Sequence, residues 1–223
     1  MGSGMRILLL VLPVLLAVRP MASAEVPLFA EEFERADVIA IERDGQELFG
    51  FDSLTGRRAQ IRLEIGEVVL FKQVRGRIGL VLTDRRALGI GAGTGFQEFR
   101  YRLREEPPAV GLVEDQLALV ITPKRVLGFL GTGGGWVDEQ FSPNESVQAL
   151  RVGAAVGVVA TNLRALGLGT RGRHFVSTDL RVKEKLESIS AQDTLATLRT
   201  SRRILVFGSP RSSWIVQNRR RRR

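Results

Sequence analysis

The chain has 223 residues, of which 44% are hydrophobic and 26% charged, and its formal net charge is +9. This composition excludes an intrinsically disordered chain, and the length allows one sizeable domain or two small ones. The absence of cysteine excludes disulfides and cysteine-ligated metal centres.

The first 24 residues are typical of a secretory signal peptide. Arg6 precedes the apolar run ILLLVLPVLLAV, residues 7–18, and the tripeptide ASA at residues 22–24 is a cleavage site of small residues. A membrane anchor is the less favoured alternative, because the run is too short to span about 30 Å of hydrocarbon and Pro13 interrupts it. The sequence therefore predicts cleavage after Ala24 and a periplasmic or secreted protein.

The rest of the chain is a tandem repeat with a period of 39 residues. Identical residues recur at this spacing in four columns: Thr83, Thr122, Thr161 and Thr200; Arg86, Arg125, Arg164 and Arg203; Leu88, Leu127, Leu166 and Leu205; Glu67, Glu106, Glu145 and Glu184. A degenerate copy lies upstream, where ELFGFD, residues 47–52, aligns with RALGIG, residues 86–91. Five units therefore follow one another, at about 28–66, 67–105, 106–144, 145–183 and 184–222.

Each unit has the pattern of four short strands separated by turns. In the unit at 145–183 they are SVQALRV, AVGVVAT, RALGLG and HFVSTDL. The second strand of most units is a continuous apolar run, which is typical of a strand covered on both faces. We expect a single domain at 25–218, followed by the basic tail Arg219–Arg223.

Repeats of about 40 residues with four strands resemble β-propeller blades. In length and strand rhythm the unit is similar to propeller repeats of the WD-repeat type, although it lacks their Gly-His and Trp-Asp signatures. The resemblance implies an all-β, five-bladed propeller of 39-residue repeats. A transmembrane barrel is disfavoured because its strands would be longer and alternate strictly, and an open β-solenoid because its repeats are usually shorter.

Two further columns predict packing between blades. Gly50, Gly89, Gly128 and Gly167 share one position in the third strand, where Val206 breaks the column in the last unit. A glycine at a repeated strand position allows neighbouring sheets to approach closely. An aromatic residue stands near the start of each fourth strand, at Phe96, Trp136, Phe175 and Trp214, and Phe96 comes one residue early because its turn is shorter. We expect these rings to fill the space between diverging sheets.

The charged columns allow two interpretations. The degenerate first unit lacks both the glutamate and the arginine, which favours four local ion pairs, Glu67–Arg86, Glu106–Arg125, Glu145–Arg164 and Glu184–Arg203. The alternative is a rim of free arginines that binds anions.

No other pattern predicts catalysis, a metal or a cofactor. The single histidine, His174, has no cysteine to complete a usual zinc site, and GTGGGW, residues 131–136, lacks the Lys-Ser/Thr ending of a phosphate loop. The adjacent acids Glu31 and Glu32, Glu105 and Glu106, and Asp138 and Glu139 do not converge, because neighbours on a strand face opposite ways.

The sequence therefore favours an exported, non-enzymatic propeller that serves as a scaffold for a protein partner. A lectin-like or small-anion-binding propeller with repeated sites is the first alternative, and a hydrolase with acids in the central funnel is the second. The tail Arg219–Arg223 is either solvated or a weak contact for a polyanion.

Overall fold

A computed structural model describes residues 36–108 and 111–219, which belong to one compact unit. Within these residues, nineteen strands form five antiparallel sheets, and each sheet consists of strands that are consecutive in the chain. The predicted signal peptide and residues 220–223 lie outside the described residues. None of the described residues forms a helix long and apolar enough to cross a membrane.

Sheet 1 contains β1 (Ile39–Asp44), β2 (Glu47–Asp52) and β3 (Arg57–Arg62). Sheet 2 contains β4 (Val69–Arg75), β5 (Ile78–Thr83), β6 (Arg86–Gly91) and β7 (Phe96–Arg100). Sheet 3 contains β8 (Gly111–Val113), β9 (Leu117–Ile121), β10 (Arg125–Leu130) and β11 (Gly135–Gln140). Sheet 4 contains β12 (Val147–Gly153), β13 (Val156–Thr161), β14 (Arg164–Gly169) and β15 (Val176–Asp179). Sheet 5 contains β16 (Leu186–Ala191), β17 (Leu195–Thr200), β18 (Arg203–Gly208) and β19 (Ser213–Asn218).

The strands confirm the predicted repeat, because β5, β9, β13 and β17 begin 39 residues apart, as do β6, β10, β14 and β18. The chain is a five-bladed β-propeller, as predicted, with one difference in its first blade. Sheet 1 has three strands within the described residues. The counterpart of β4 falls, by the same period, on residues 30–36, of which only Ala36 is described.

Backbone hydrogen bonds join each sheet to the next around the propeller axis. In each case the amide directly before β1, β5, β9 or β13 donates to a carbonyl in the turn between the first two strands of the following sheet. The pairs are Val38–Gly76 (2.8 Å), Arg77–Asp115 (2.9 Å), Gln116–Ala154 (3.0 Å) and Ala155–Asp193 (2.7 Å). These turns, with residues that precede β1, surround a central cavity of about 670 Å³.

Glycines in the third strands allow the sheets to interlock. A Cβ atom on Gly89 would lie 2.5 Å from the ring of Phe129, and one on Gly167 would lie 2.4 Å from the ring of Phe207. Gly50 and Gly128 receive Ile90 and Leu168 in the same way. At these four positions the large residue comes from the following sheet, whereas Gly79 and Gly157 in the second strands receive Ile41 and Leu119 from the preceding sheet. Four clusters of buried apolar residues result, one at each interface between consecutive sheets.

Sheets 5 and 1 do not interlock in this way. The position of the receiving glycine is taken by Val206, and Phe51, which corresponds to the inserted Phe129 and Phe207, is 41% exposed. Within residues 36–108 and 111–219, no backbone hydrogen bond joins Thr194 to Asp37, the pair that the repeat would place here. The faces of sheets 5 and 1 that are turned away from sheets 4 and 2 are therefore only partly covered.

Candidate functional site

The repeated threonine, arginine and glutamate form a buried ion-pair site at one end of each of sheets 2 to 5, which we call the clasp. In sheet 5, Arg203 donates from Nε to Glu184 Oε1 (3.0 Å) and from Nη2 to Glu184 Oε2 (2.7 Å). Thr200 donates from Oγ1 to Glu184 Oε1 (2.5 Å) and accepts from the amide of Arg203 (2.9 Å). A bidentate pair of this kind fixes both side chains in one geometry.

A clasp recurs in the other three sheets, where Arg86 and Arg125 form bidentate pairs and Arg164 contacts its glutamate through Nε alone. Arg86 Nε lies 2.9 Å from Glu67 Oε1, and Arg164 Nε lies 2.9 Å from Glu145 Oε1. The four glutamate side chains are at most 1% exposed, and the arginine side chains are 4–16% exposed. The guanidinium groups therefore do not form a free rim, and the structure places them in pairs.

One predicted pair has a different partner. Arg125 contacts Glu105, not Glu106, which is exposed. In the pairing of β6 with β7, Ile90 faces Phe96, whereas Phe129 faces Trp136 and Phe207 faces Trp214 in the later sheets. The connection between the paired residues is therefore one residue shorter in sheet 2, and residues 96–105 stand one position earlier than the 39-residue repeat requires. The early position of Phe96 was the signal in the sequence that identifies Glu105.

The clasp also ties each sheet to the one before it. Arg86, Arg164 and Arg203 donate from Nη2 to the carbonyl oxygens of Arg62, Gln140 and Asp179, which lie at the ends of the preceding outer strands. The guanidinium of Arg125 instead lies over the ring of Phe99, 4.8 Å from its centroid. The arginines also pair with a second set of acids, Glu98, Asp138 and Glu139, and no repeat column indicates these pairs.

The clasp lowers the pKa of its glutamates. Burial by itself raises the pKa of Glu184, but hydrogen bonds from Arg203, Thr200 and the amide of Arg181 outweigh it and hold the pKa at about 2. Opposing burial in the same way, Arg125, the amide of Arg102 and Thr122 hold the pKa of Glu105 at about 2. The pKa values of Glu67 and Glu145 are also lowered, by the same kinds of contact against the same effect of burial.

We expect stability to fall at acid pH because of these glutamates. The ordinary pKa of the carboxyl is 4.5, and a folded-state pKa of about 2 means that the unfolded chain binds more protons between these values. The contribution of the clasp is complete above the unfolded pKa and is lost as the pH falls towards about 2. In denaturant unfolding, the stability difference between the wild type and Glu184→Gln should therefore shrink as the pH is lowered from neutrality. A difference that is independent of pH would contradict this assignment.

The packing columns lie at the interfaces between sheets. The repeated leucines are fully buried: Leu88, Leu127, Leu166 and Leu205. The clasp threonines are at most 1% exposed. The rings of Trp136 and Trp214 reach the preceding sheet, where their Nε1 atoms donate to the carbonyls of Gln97 (3.0 Å) and Val176 (2.8 Å). Phe96 packs against the cluster between sheets 1 and 2, and Phe175 is buried in the cluster between sheets 3 and 4.

The remaining candidates are dispersed. His174 is exposed in the turn before β15, and the glycine-rich stretch at residues 131–136 forms the turn between β10 and β11 and the start of β11. Asp138 and Glu139 bind different arginines, and Glu31 and Glu32 lie outside the described residues. Within residues 36–108 and 111–219, no group of three or more histidine, aspartate or glutamate side chains could hold a metal ion.

The central cavity is lined by charged residues from several repeats. Asp37, Asp115 and Asp193 occupy one repeat position around it, with Gly76 and Ala154 at the same position in sheets 2 and 4. Arg75 and Glu114 form an ion pair of 3.0 Å at the wall, and Asp37 Oδ1 accepts a hydrogen bond of 2.5 Å from the amide of Gly76. These acids could not be recognised in the sequence, because aspartate in a turn has no distinguishing pattern.

No protein-family model matches the chain, and no curated protein matches it. Similar solved structures include Prp20p from Saccharomyces cerevisiae, at 10% identity over 78% of this chain and 56% of that chain, with a TM-score of 0.39. Human WBSCR16 is 12% identical over 78% of this chain and 57% of that chain, with a TM-score of 0.39. AztD from Citrobacter koseri is 10% identical over 79% of this chain and 58% of that chain, with a TM-score of 0.39. The chain spans a little over half the length of these proteins.

Proposed function

We propose that the chain is an exported, non-enzymatic scaffold that binds a protein partner. The observation that carries the proposal is the uncovered apolar surface of the first and last sheets. We call this surface the seam; it consists of Phe49 and Phe51 on sheet 1 and Leu195, Ile204, Val206 and Ile215 on sheet 5.

The seam is exceptional within the repeat. Leu195 is 54% exposed, whereas its counterparts Ile78, Leu117 and Val156 are fully buried. Ile215 on the outer strand of the same sheet is 66% exposed. Positions that are buried in sheets 2 to 4 are thus open at the two ends of the array, and contiguous apolar surface of this kind is typical of a protein-binding site.

Polar groups frame this surface. The guanidinium of Arg58 lies 4.4 Å from the ring centroid of Phe49, and Arg199 pairs with Glu187 at 3.1 Å on sheet 5. An apolar centre with a polar rim is the usual composition of a protein interface. We therefore infer a partner that presents apolar side chains to the two terminal sheets.

Site-specific photo-crosslinking tests this function. A photoreactive residue at position 215 should form a covalent adduct with one discrete partner protein, because the side chain there is exposed on the seam. The same residue at position 132, which is exposed in the turn between β10 and β11, should not. Ile215→Asp should abolish co-purification of the identified partner while leaving the fold intact. Only unmodified chain from position 215, or an adduct with a second copy of the chain, would contradict the proposal.

The proposal that the chain is exported is based on the sequence of residues 1–24, and its test is independent of the crosslinking experiment. Expression of the full chain in a secreting host should yield mature protein that begins at Glu25, as N-terminal sequencing would establish. Protein that retains Met1 and stays inside the cell would contradict export without affecting the scaffold.

The central cavity supports a second candidate, a hydrolase. Its motive is the repeated aspartate position around one cavity, of which Asp115 and Asp193 are members. This candidate requires turnover of a glycoside or ester substrate that Asp115→Asn or Asp193→Asn removes.

A further inference from the structure

Four turns of identical conformation connect the consecutive sheets. They comprise residues 64–67, 102–105, 142–145 and 181–184, and each ends in the glutamate of a clasp. The amide of that glutamate donates to the carbonyl three residues earlier at 2.8–3.0 Å. The carboxylate in turn accepts from the amide of the first turn residue at 2.7–2.9 Å. The third residue has positive φ in all four turns, at Gly66, Arg104, Asn144 and Lys183.

This conformation exposes the second residue of each turn, because the fourth is anchored in the protein interior. Ile65 is 84% exposed, Leu103 is 91% exposed and Val182 is 83% exposed, and Pro143 is exposed at the same position. Single exposed apolar residues are common on protein surfaces, but here they recur at one repeat position. Equivalent positions in successive blades lie at the same height along the propeller axis, so the four tips define a plane.

Hairpin turns between the second and third strands lie beside these tips. Val68 donates from its amide to Asp84 Oδ1, Ser146 to Asn162 Oδ1 and Lys185 to Ser201 Oγ, which fixes each hairpin against the adjacent turn. Leu163, at the tip of one hairpin, is 44% exposed. We call the four connecting turns and the hairpins at 84–85, 123–124, 162–163 and 201–202 the turn face.

The turn face is strongly basic. Its exposed basic side chains are Arg85, Arg102, Arg104, Lys124, Arg181, Lys183 and Arg202, and its acids outside the clasps are Glu64 and Asp84. Glu64 is neutralised by Arg85 and Arg100, at 2.9 and 2.7 Å. Glu64 is the first residue of its turn. The first residue of the turn before sheet 3 is Arg102, and that of the turn before sheet 5 is Arg181. In the part of the chain that the structure describes, Arg85 alone among these seven forms an ion pair.

We propose that the turn face binds an anionic lipid bilayer, with its apolar tips in the interfacial region and its arginines and lysines on lipid phosphates. Apolar side chains and basic groups on one surface are the combination that holds peripheral proteins to anionic membranes. A planar array of separate, highly exposed tips matches a flat lipid surface better than the contoured surface of a protein. The turn face is distinct from the seam, so this inference goes beyond the proposed function.

The chain end adds to the same surface. The amide of Arg219 donates to the carbonyl of Arg202 at 2.8 Å, which places the end of the last strand beside the turn face. Ser201, Arg202 and Arg219 line a shallow cavity together with Arg181. Arg219 is held at this cavity by its ion pair with Glu187 at 2.7 Å. The guanidinium groups of Arg181 and Arg202 form a suitable site for the phosphate of a lipid headgroup.

Vesicle sedimentation tests the proposal with the purified mature chain. We expect co-sedimentation with vesicles of phosphatidylcholine and phosphatidylserine but not of phosphatidylcholine alone, with weaker binding at high salt. The affinity of the double variant Leu103→Ser, Val182→Ser for the mixed vesicles should fall by a factor of about ten or more, since two of the apolar anchors are lost. Arg102→Gln combined with Arg181→Gln should weaken binding and reduce its dependence on salt.

Leu54→Ser is the matched control, because Leu54 is 57% exposed but lies in the turn between β2 and β3, outside the turn face. It should bind like the wild type, and thermal unfolding should show that all variants are folded. No binding by the wild type, or equal binding by the Leu103→Ser, Val182→Ser variant, would overturn the proposal. Binding to a DNA oligonucleotide that exceeds binding to vesicles and is insensitive to the tip substitutions would also overturn it, in favour of a soluble polyanion.

Discussion

Glu184→Ala is expected to lower the free energy of unfolding by about 3–5 kcal/mol, because it leaves the Arg203 guanidinium as a buried charge without its counterion. The side chain of Arg203 is 8% exposed and that of Glu184 is fully buried, so water cannot replace the lost contacts. Thr200 loses one of the two acceptors of its hydroxyl in the same step, and the carbonyl of Arg203 at 3.0 Å remains. Urea unfolding at neutral pH measures the change.

The same sheet offers a matched control. Glu187 pairs with Arg199 at 3.1 Å and with Arg219 at 2.7 Å, but the acid is 41% exposed. Glu187→Ala should therefore cost only about 0–1 kcal/mol. Replacing Arg203 by methionine together with Glu184→Ala should restore part of the lost stability, since no buried charge then remains. Equal costs for Glu184→Ala and Glu187→Ala would show that the clasp is not a structural element.

Gly167→Val is expected to destabilise the chain by about 3 kcal/mol or more through overpacking. The Cβ position is 2.4 Å from the Phe207 ring, which is fully buried and has no room to move. Loss of the interface between sheets 4 and 5 would appear as a lower midpoint in thermal unfolding.

Gly208→Val is the control for this substitution. The nearest atom to a Cβ there is Leu195 Cδ2 at 3.6 Å, an ordinary contact, so the change should stay within about 1 kcal/mol. Truncating the inserted ring in the variant Gly167→Ala, Phe207→Ala should cost less than the sum of the two single substitutions, because each relieves the other. Strict additivity would contradict direct contact.

Much of the fold could be predicted from the sequence because the physical constraints repeat. A strand covered on both faces requires an apolar run, and a close approach requires a glycine, so both recur at the period of the blade. The partner of Arg125 was predicted wrongly because a fixed period cannot follow a shortened turn. Phe96 already showed the shift of one residue that moves the glutamate from 106 to 105.

Other features could not be predicted because they do not depend on residue type. The interlocking bonds around the axis use backbone atoms only, and any residue supplies them. The tips of the connecting turns, such as Ile65 and Pro143, are all exposed but differ in residue type, so no column of identical residues marks them. Overall charge was also uninformative, because a net charge does not show on which surface of the molecule the basic side chains lie.

The glycine positions of the third strands have a consequence for how the array is held together. Sheets 1 to 4 each accept a side chain from the following sheet at the third-strand glycine. In sheet 5, Val206 occupies this position and leaves no space for an inserted side chain. Five blades are therefore joined by four interlocked interfaces, so the coupling among them is linear although their arrangement is circular. In a linear array each unit is stabilised by its nearest neighbours. The terminal blades, with one such neighbour each, are the units that can open while the middle of the propeller stays folded.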